Sequence, residues 1–332
     1  MHSHRSTETR QRRQAVSRPI GSYLWALIIC SVLPLLAFQA YTVTRSAQAE
    51  IRLAEAQAER ITHALGDVMD RELASLEAGL AVLADTHTDG GDLAAFARAA
   101  REFAGHYHVR IELIDRNGHA VLDTGAVPGA PARRTAHPQE VDRVLDRRQP
   151  QVLDAYAGAG SLMHAGLLVP VSRDGAALYA LQASWPLPGL GAALNRAQIP
   201  STWPATVVDS RGVRLWRSSH PELIGKRLSP SFFKRLMEAK DGRTESTSAT
   251  DEIPVLNFSS SLTRANWTAI VAVPQSELRA PFYRAVALMS GAGALALLFS
   301  LAMAGWISRR VGDEVRATAA QAEQLSDAGE PA

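Results

Sequence analysis

Cysteine is nearly absent from this sequence: Cys30 stands alone among 332 residues. One thiol builds neither a disulfide framework nor a cysteine metal site. Lysine is almost as scarce, limited to Lys226, Lys234 and Lys240, so arginine carries most of the positive charge. The net charge of +2 is too close to neutral for the concentrated basic surface that binds nucleic acid. Catalytic signatures are missing too. No Walker-type phosphate loop, no His-Glu-x-x-His zinc motif and no Gly-x-Ser-x-Gly nucleophile turn occurs. The chain is therefore expected to be no enzyme and to carry no cofactor and no metal. Heavy use of alanine and arginine points to a GC-rich bacterial genome.

What the chain has instead is two long uncharged apolar runs, residues 20–43 and 285–307. About twenty helical residues cross the hydrocarbon core of a bilayer, so each run reads as a transmembrane helix. A cleavable signal peptide is the rival reading of the first, with Ala47-Gln48-Ala49 resembling a cleavage site. The apolar region of a signal peptide is only about 7–15 residues long, which favours an uncleaved anchor. The tail before it carries Arg5, Arg10, Arg12, Arg13 and Arg18 against Glu8, and Arg309, Arg310 and Arg316 follow the second run. Positive charge collects on the cytoplasmic side of a membrane. Both termini are thus expected inside and residues 44–284 outside, making a two-pass protein of a bacterial inner membrane with a large periplasmic domain.

Residues 44–86 hold no proline, and Ile61, Leu65, Met69, Leu73, Leu76, Leu80 and Leu83 recur every three or four positions. That is one apolar stripe on a long helix, whose Ala- and Glu-rich first part suits a parallel dimer stalk. A second helix is expected over 92–105. The period then shortens. Strands are read at 109–114 and 119–122, a helix at 138–148, and strands at 151–156, 167–172 and 177–184. After the Pro/Gly stretch 186–191 a shorter version of the pattern returns: strands at 205–209 and 213–218, a helix at 231–239, and strands at 244–248, 255–262 and 267–273. Leu113-Ile114-Asp115-Arg116-Asn117-Gly118 and Val207-Val208-Asp209-Ser210-Arg211-Gly212 share apolar-apolar-Asp-x-x-Gly, a weak internal repeat matched in position. The expected fold class is α+β, with two antiparallel-sheet modules on a long N-terminal helix.

Individual residues that invite chemistry have plainer readings. His106-x-His108 could place two imidazoles on one side of an extended segment, but no third ligand is near. Asp115 and Asp209 sit where aspartate bonds its own turn backbone. Ser259-Ser260-Ser261 has no placed partner. Gly291, Gly293 and Gly305 permit close helix packing in the second run.

Val207-Val208-Asp209-Ser210-Arg211-Gly212, Pro221-Glu222-Leu223-Ile224-Gly225-Lys226 and Asn266-Trp267-Thr268-Ala269-Ile270-Val271-Ala272-Val273-Pro274, set between two spans, carry a resemblance. The chain resembles the periplasmic double Cache (PDC, PAS-like) sensor region of bacterial transmembrane receptors, above all sensor histidine kinases of the HWE-like group. The resemblance implies this organisation: a basic cytoplasmic tail 1–19, a first span 20–43, a stalk and covering helix 44–86, a membrane-distal module 87–190, a membrane-proximal module 191–284, a second span 285–307, and a HAMP-like or linker helix 308–332. The kinase domain is not among these segments. The last histidine is His220, so the resemblance implies a receptor without its transmitter, a truncated product, or a subunit acting through a separate cytoplasmic partner.

A PAS-like sheet binds small molecules on the face opposite its covering helix. Tyr156, His164, Tyr179, Gln182 and Trp185 are the candidate ligand-binding residues of the distal module, Tyr179 and Gln182 falling on opposite faces by alternation. Amino-acid-binding double Cache domains keep an acid near the end of the last distal strand. Ala183-Ser184-Trp185-Pro186 has none, which argues against a primary-amine ligand. The expected function is a two-component-type sensor, a homodimer that binds a small ligand and shifts its second span against the first by about 1–2 Å. The alternative is a structural or adaptor protein whose periplasmic domain binds another protein. For the topology, a periplasmic reporter inserted within residues 126–134 should be active and one fused after Arg18 silent; silence at the first site overturns the two-pass arrangement.

Overall fold

The computed structural model describes residues 20–88, 92–126, 133–158, 162–173, 176–191, 194, 198–239, 242–247 and 253–327, apart from the side chains of residues 20–29, 31, 32, 35, 36, 87, 88, 173, 308 and 311–327. The basic tail 1–19 and residues 89–91, 127–132 and 174–175 lie outside the described residues. The chain divides into two compact units, Ile51–Arg279 and the pair Met1–Glu50 with Ala280–Ala332.

Within Ile51–Arg279 the fold is α+β. Helix α1 spans Ile20–Thr88. Its stripe Leu65, Met69, Leu73, Leu76, Leu80 and Leu83 is buried, as the periodicity predicts. Helix α2, Leu93–Tyr107, starts at Asp92, whose side chain accepts from the Ala94 backbone N–H at 2.9 Å. Where α2 approaches α1, a Cβ on Gly79 would come within 2.7 Å of the Phe103 ring, so a side chain there would require that ring to shift. This helix runs past the expected end at 105. His106 sits in its last turn and His108 caps it at φ 54°, which corrects the reading of the two imidazoles as one side of an extended segment.

Ten strands follow. In the first sheet they are β1 Arg110–Asp115, β2 Ala120–Asp123, β3 Gln151–Ala157, β4 Met163–Arg173 and β5 Ala176–Pro186, with α3, Pro138–Arg147, between β2 and β3. The second has β6 Ala205–Val208, β7 Arg214–Arg217, β8 Arg243–Thr247, β9 Pro254–Ser261 and β10 Thr268–Pro274, with α4, Pro230–Ala239, between β7 and β8. The antiparallel orders are β2-β1-β5-β4-β3 and β7-β6-β10-β9-β8, the same arrangement twice. β4 begins at Met163 rather than 167, because its first residues pair with β3 and β5 on either side.

The repeated Asp-x-x-Gly is a turn device. Gly118 and Gly212 have φ of 81° and 75°, values that glycine adopts without strain. Their N–H groups donate to the carbonyls of Asp115 and Asp209 at 2.9 and 3.0 Å. The Asp115 carboxylate accepts from His119 N–H at 2.8 Å, and that of Asp209 from Val213 N–H at 2.7 Å.

One apolar cluster lies under both sheets. It joins the α1 stripe to Ile111, Leu113, Leu167 and Leu181 of the first sheet and to Val207, Phe258, Ala269 and Val271 of the second. The edges are pinned by polar contacts. Asp70 of α1 accepts from the N–H groups of Thr263 and Arg264 at 2.9 and 3.0 Å, and Glu77 pairs with Arg264 at 2.8 Å. Between the sheets, Asp209 Oδ2 accepts from the Ala155 N–H of β3 at 3.1 Å. Asp154 of β3 accepts from the Ser210 hydroxyl and, at 3.2 Å, from the Trp267 indole N–H.

The last helix, α5, Gln275–Asp327, starts directly after β10, within Ile51–Arg279, and contains Pro281. Its stretch Gln275–Ile307 is the one helix among the described residues long and apolar enough to cross a membrane. Most side chains of the first apolar run fall outside those described.

Asp209 is 1% exposed, and removing its carboxylate leaves three backbone donors without their acceptor, those of Ala155, Arg211 and Val213. Each such loss costs about 1–3 kcal/mol. Asp209→Ala is expected to destabilise the protein by about 3 kcal/mol and lower its melting temperature by about 6–12 °C. Denaturant unfolding measures it; a loss below about 1 kcal/mol would show that the contact between sheets is dispensable.

Candidate functional site

The first sheet has two different faces. On the α1 face, β5 contributes Leu181, Ala183 and Trp185 to the main core. The other face is partly roofed by α3, where Val141, Val144 and Leu145 pack on Ile114, Leu153, Leu168 and Ala180. Beyond the start of α3 the roof ends, and a cavity of about 40 Å³ opens, lined by Arg110 and Glu112 of β1, Tyr156 of β3, His164 of β4, Gln182 and Ser184 of β5, and residues 133–137.

Of the five residues singled out in the sequence, Tyr156, His164 and Gln182 are together here. Tyr179 and Trp185 are on the other face of β5: Tyr179 packs against the main core, and Trp185 is buried within it. Alternation separates them from Gln182, since β5 side chains point to opposite sides in turn. Arg110, Glu112 and His137 were not legible as site residues. Arg110 and Glu112 read as the polar side of a strand, and only the pairing of β1 with β5, which sets Glu112 opposite Gln182, brings them to the cavity. That pairing also gives the site an acid, from β1 rather than from the end of β5.

The polar groups here are tightly interlocked. Arg110 Nε donates to Asp123 at 2.8 Å, its Nη2 also contacts Asp123, and Glu112 lies 3.5 Å away. Gln182 Nε2 donates to the Tyr156 hydroxyl at 3.0 Å. The ring of His137 meets that of Tyr156 edge-on at 4.2 Å, and that of His164 stacks on Tyr156 at 6.1 Å. Two buried polar atoms, Gln182 Oε1 and His137 Nε2, have no hydrogen-bond partner among the described residues. Burial raises the pKa of Glu112, with Asp123 adding to the effect and Arg110, Arg133 and His164 opposing it. Burial likewise lowers that of His137 and raises that of Tyr156. The cavity thus offers an acceptor at Gln182, an imidazole nitrogen at His137 and a carboxyl group at Glu112, with arginines at its edge. Among the described residues no group of three or more metal-ligating side chains comes together.

No protein-family model matches the sequence, and no curated protein does. Solved structures do match. The extracellular domain of a candidate histidine kinase, rpHK1S-Z16, aligns over 68% of this chain and 97% of its own, with a TM-score of 0.58 at 14% identity. The ligand-binding domain of the Campylobacter jejuni chemoreceptor Tlp3, in complex with 4-methylisoleucine, aligns over 70% and 93%, with a TM-score of 0.55 at 9% identity. That of the Pseudomonas fluorescens chemoreceptor CtaA, in complex with L-isoleucine, aligns over 71% and 97%, with a TM-score of 0.55 at 14% identity. These are extracellular sensor domains of histidine kinases and chemoreceptors. The chain has the double Cache fold. Within the double Cache fold the cavity described here belongs to the first of the two sheets.

Glu112 gives the site a pH signature. Its folded pKa lies above the ordinary 4.5, so its contribution to stability is complete below that value and is lost as pH rises through the folded pKa. His137, lowered from 6.5, acts oppositely: its contribution is present above 6.5 and is lost as pH falls. Glu112→Gln should therefore gain stability relative to the parent as pH rises from about 4 to about 7.5, measured by urea unfolding. Parallel pH profiles for the two proteins would show that Glu112 titrates as it does in the unfolded chain.

Proposed function

We propose that this chain is the input part of a membrane receptor. Its extracytoplasmic double Cache region binds a small polar molecule in the distal cavity and passes the change through its membrane helices to a cytoplasmic transmitter. The observation that carries this reading is the pair of buried, unpartnered atoms, Gln182 Oε1 and His137 Nε2, at one cavity on the face opposite α1. Buried polar atoms are nearly always hydrogen-bonded, and a ligand bearing N–H groups would satisfy both. Glu112 suits an ammonium group and Arg133 and Arg134 a carboxylate, so a zwitterionic amino acid is the favoured class. Tlp3 and CtaA were solved with such ligands, which supports the class without assigning it.

The proposed organisation keeps a distal module over 87–190, a proximal module over 191–284, spans at 20–43 and 285–307, and a homodimer in the bacterial inner membrane. A cavity of about 40 Å³ holds only about three waters, so the lining side chains move outward when an amino acid enters. Output would follow β10, which passes straight into α5. Trp203 Nε1, donating to Glu277 at 2.7 Å, ties the start of that helix to the proximal sheet.

The test is calorimetry and thermal shift of the full-length protein in nanodiscs against the common amino acids. A single-site ligand at a hundredfold excess over Kd adds about 2.7 kcal/mol. Gln182→Leu should weaken that ligand at least tenfold while leaving the unliganded melting temperature nearly unchanged. If no amino acid binds, and a periplasmic protein is retained by the wild type and by Gln182→Leu alike, the adaptor reading replaces this one.

A further inference from the structure

The proximal sheet has a cavity of its own, on the same face relative to α1 as the distal one. It measures about 110 Å³ and is bounded by β6, β7, the start of α4 and the outer ends of β8, β9 and β10. Its chemistry differs from that of the distal cavity. Arg214 of β7 is 6% exposed, and its side chain lines the space. Nη1 donates to the carbonyls of Lys226 and Arg227 at 3.3 and 3.0 Å, which fix the guanidinium in place. Nε is buried and has no hydrogen-bond partner among the described residues.

Distal Arg110 is held by Asp123 and Glu112. Among the described residues no ion pair includes Arg214, and no described aspartate or glutamate lines its cavity. Burial, and after it the charge of Arg217, press the pKa of Arg214 below its ordinary value. An interior charge left without a counterion is costly, and the site has the means to accept one. Ser229, which immediately precedes α4, is on the cavity wall, so the positive end of that helix dipole adds to the field. Ser246 and Asn257 supply further polar contacts, and Leu228, Phe232, Val255 and Ile270 form an apolar wall.

We infer that the proximal module binds a short aliphatic monocarboxylate of about two to four carbons, its carboxylate on the Nε edge of Arg214 and its alkyl end against Phe232, Val255 and Ile270. Size sets the upper limit: an apolar cavity of about 150 Å³ accommodates benzene, and this one is smaller. The apolar wall selects against inorganic phosphate, which would have to bury a larger charge against hydrocarbon. This site is separate from the distal one and does not depend on the function proposed for it.

The test uses the full-length protein in nanodiscs with acetate, propionate, butyrate, propionamide and inorganic phosphate as probes, read by thermal shift and calorimetry. Propionate should bind saturably, and propionamide and phosphate at least tenfold more weakly. Arg214→Met should weaken propionate at least tenfold. A second variant, Ala272→Leu, narrows the cavity and keeps the guanidinium; it should weaken butyrate more than acetate. Gln182→Leu in the distal site should leave propionate binding unchanged, so failure of one site is distinguishable from failure of the other. Propionamide or phosphate binding as well as propionate, or full propionate affinity in both Arg214→Met and Ala272→Leu, overturns the inference.

Discussion

The fold of Ile51–Arg279 depends on one apolar seam. The stripe from Leu65 to Leu83 on α1 is buried in the same cluster as the inner faces of both sheets. Neither five-stranded sheet has a second sheet to cover that face, and an uncovered face of Val, Leu and Phe would be a large exposed apolar patch. Burying one Leu side chain contributes about 1.5–3 kcal/mol, so this helix side is a large share of what holds the region together. The ladder of Asp70 and Glu77 against Thr263 and Arg264 contributes less, because these groups are exposed and such pairs are worth little. Its effect is to fix how α1 lies along the proximal sheet.

One face of each sheet is committed to α1, and the two cavities described here lie on the opposite faces. There α3 and α4 cover part of the sheet and leave the remainder open. The two cavities are built on the same topology and hold opposite chemistry. In that of the first sheet Arg110 and Glu112 have neighbours of the other sign, and the buried unmet groups are neutral: an amide oxygen and an imidazole nitrogen. In the proximal one the unmet group is a cation. The duplicated scaffold thus presents two different kinds of unmet polar group, consistent with function residing in sites rather than in folds.

Much of this architecture was legible in the sequence, for local reasons. The leucine stripe needs only helical periodicity. Asp115 with Gly118 and Asp209 with Gly212 announce themselves because a left-handed φ needs glycine and the turn needs a side-chain acceptor. What stayed hidden is non-local. Glu112 joins the site only through its register with Gln182, seventy positions later, and His137 only because α3 begins beside β3. The end of α2 was misplaced because its left-handed cap is His108, a residue type that gives no such warning. Alternation separated Tyr179 from Gln182 correctly, yet nothing local marks which face a remote helix will cover.

The junction of β10 and α5 has no slack: Pro274 closes the strand and Gln275 opens the helix. An α-helix turns by about 100° per residue. The phase of α5 about its own axis is therefore set by the pleat of the central strand of the proximal sheet. A single inserted or deleted residue at that point would swing every side chain of the following helix to a new azimuth, although the sheet and its cavity stayed intact. Length at this point is a form of information: a drift of one codon there would turn the whole of the following helix while leaving the sheet as it is.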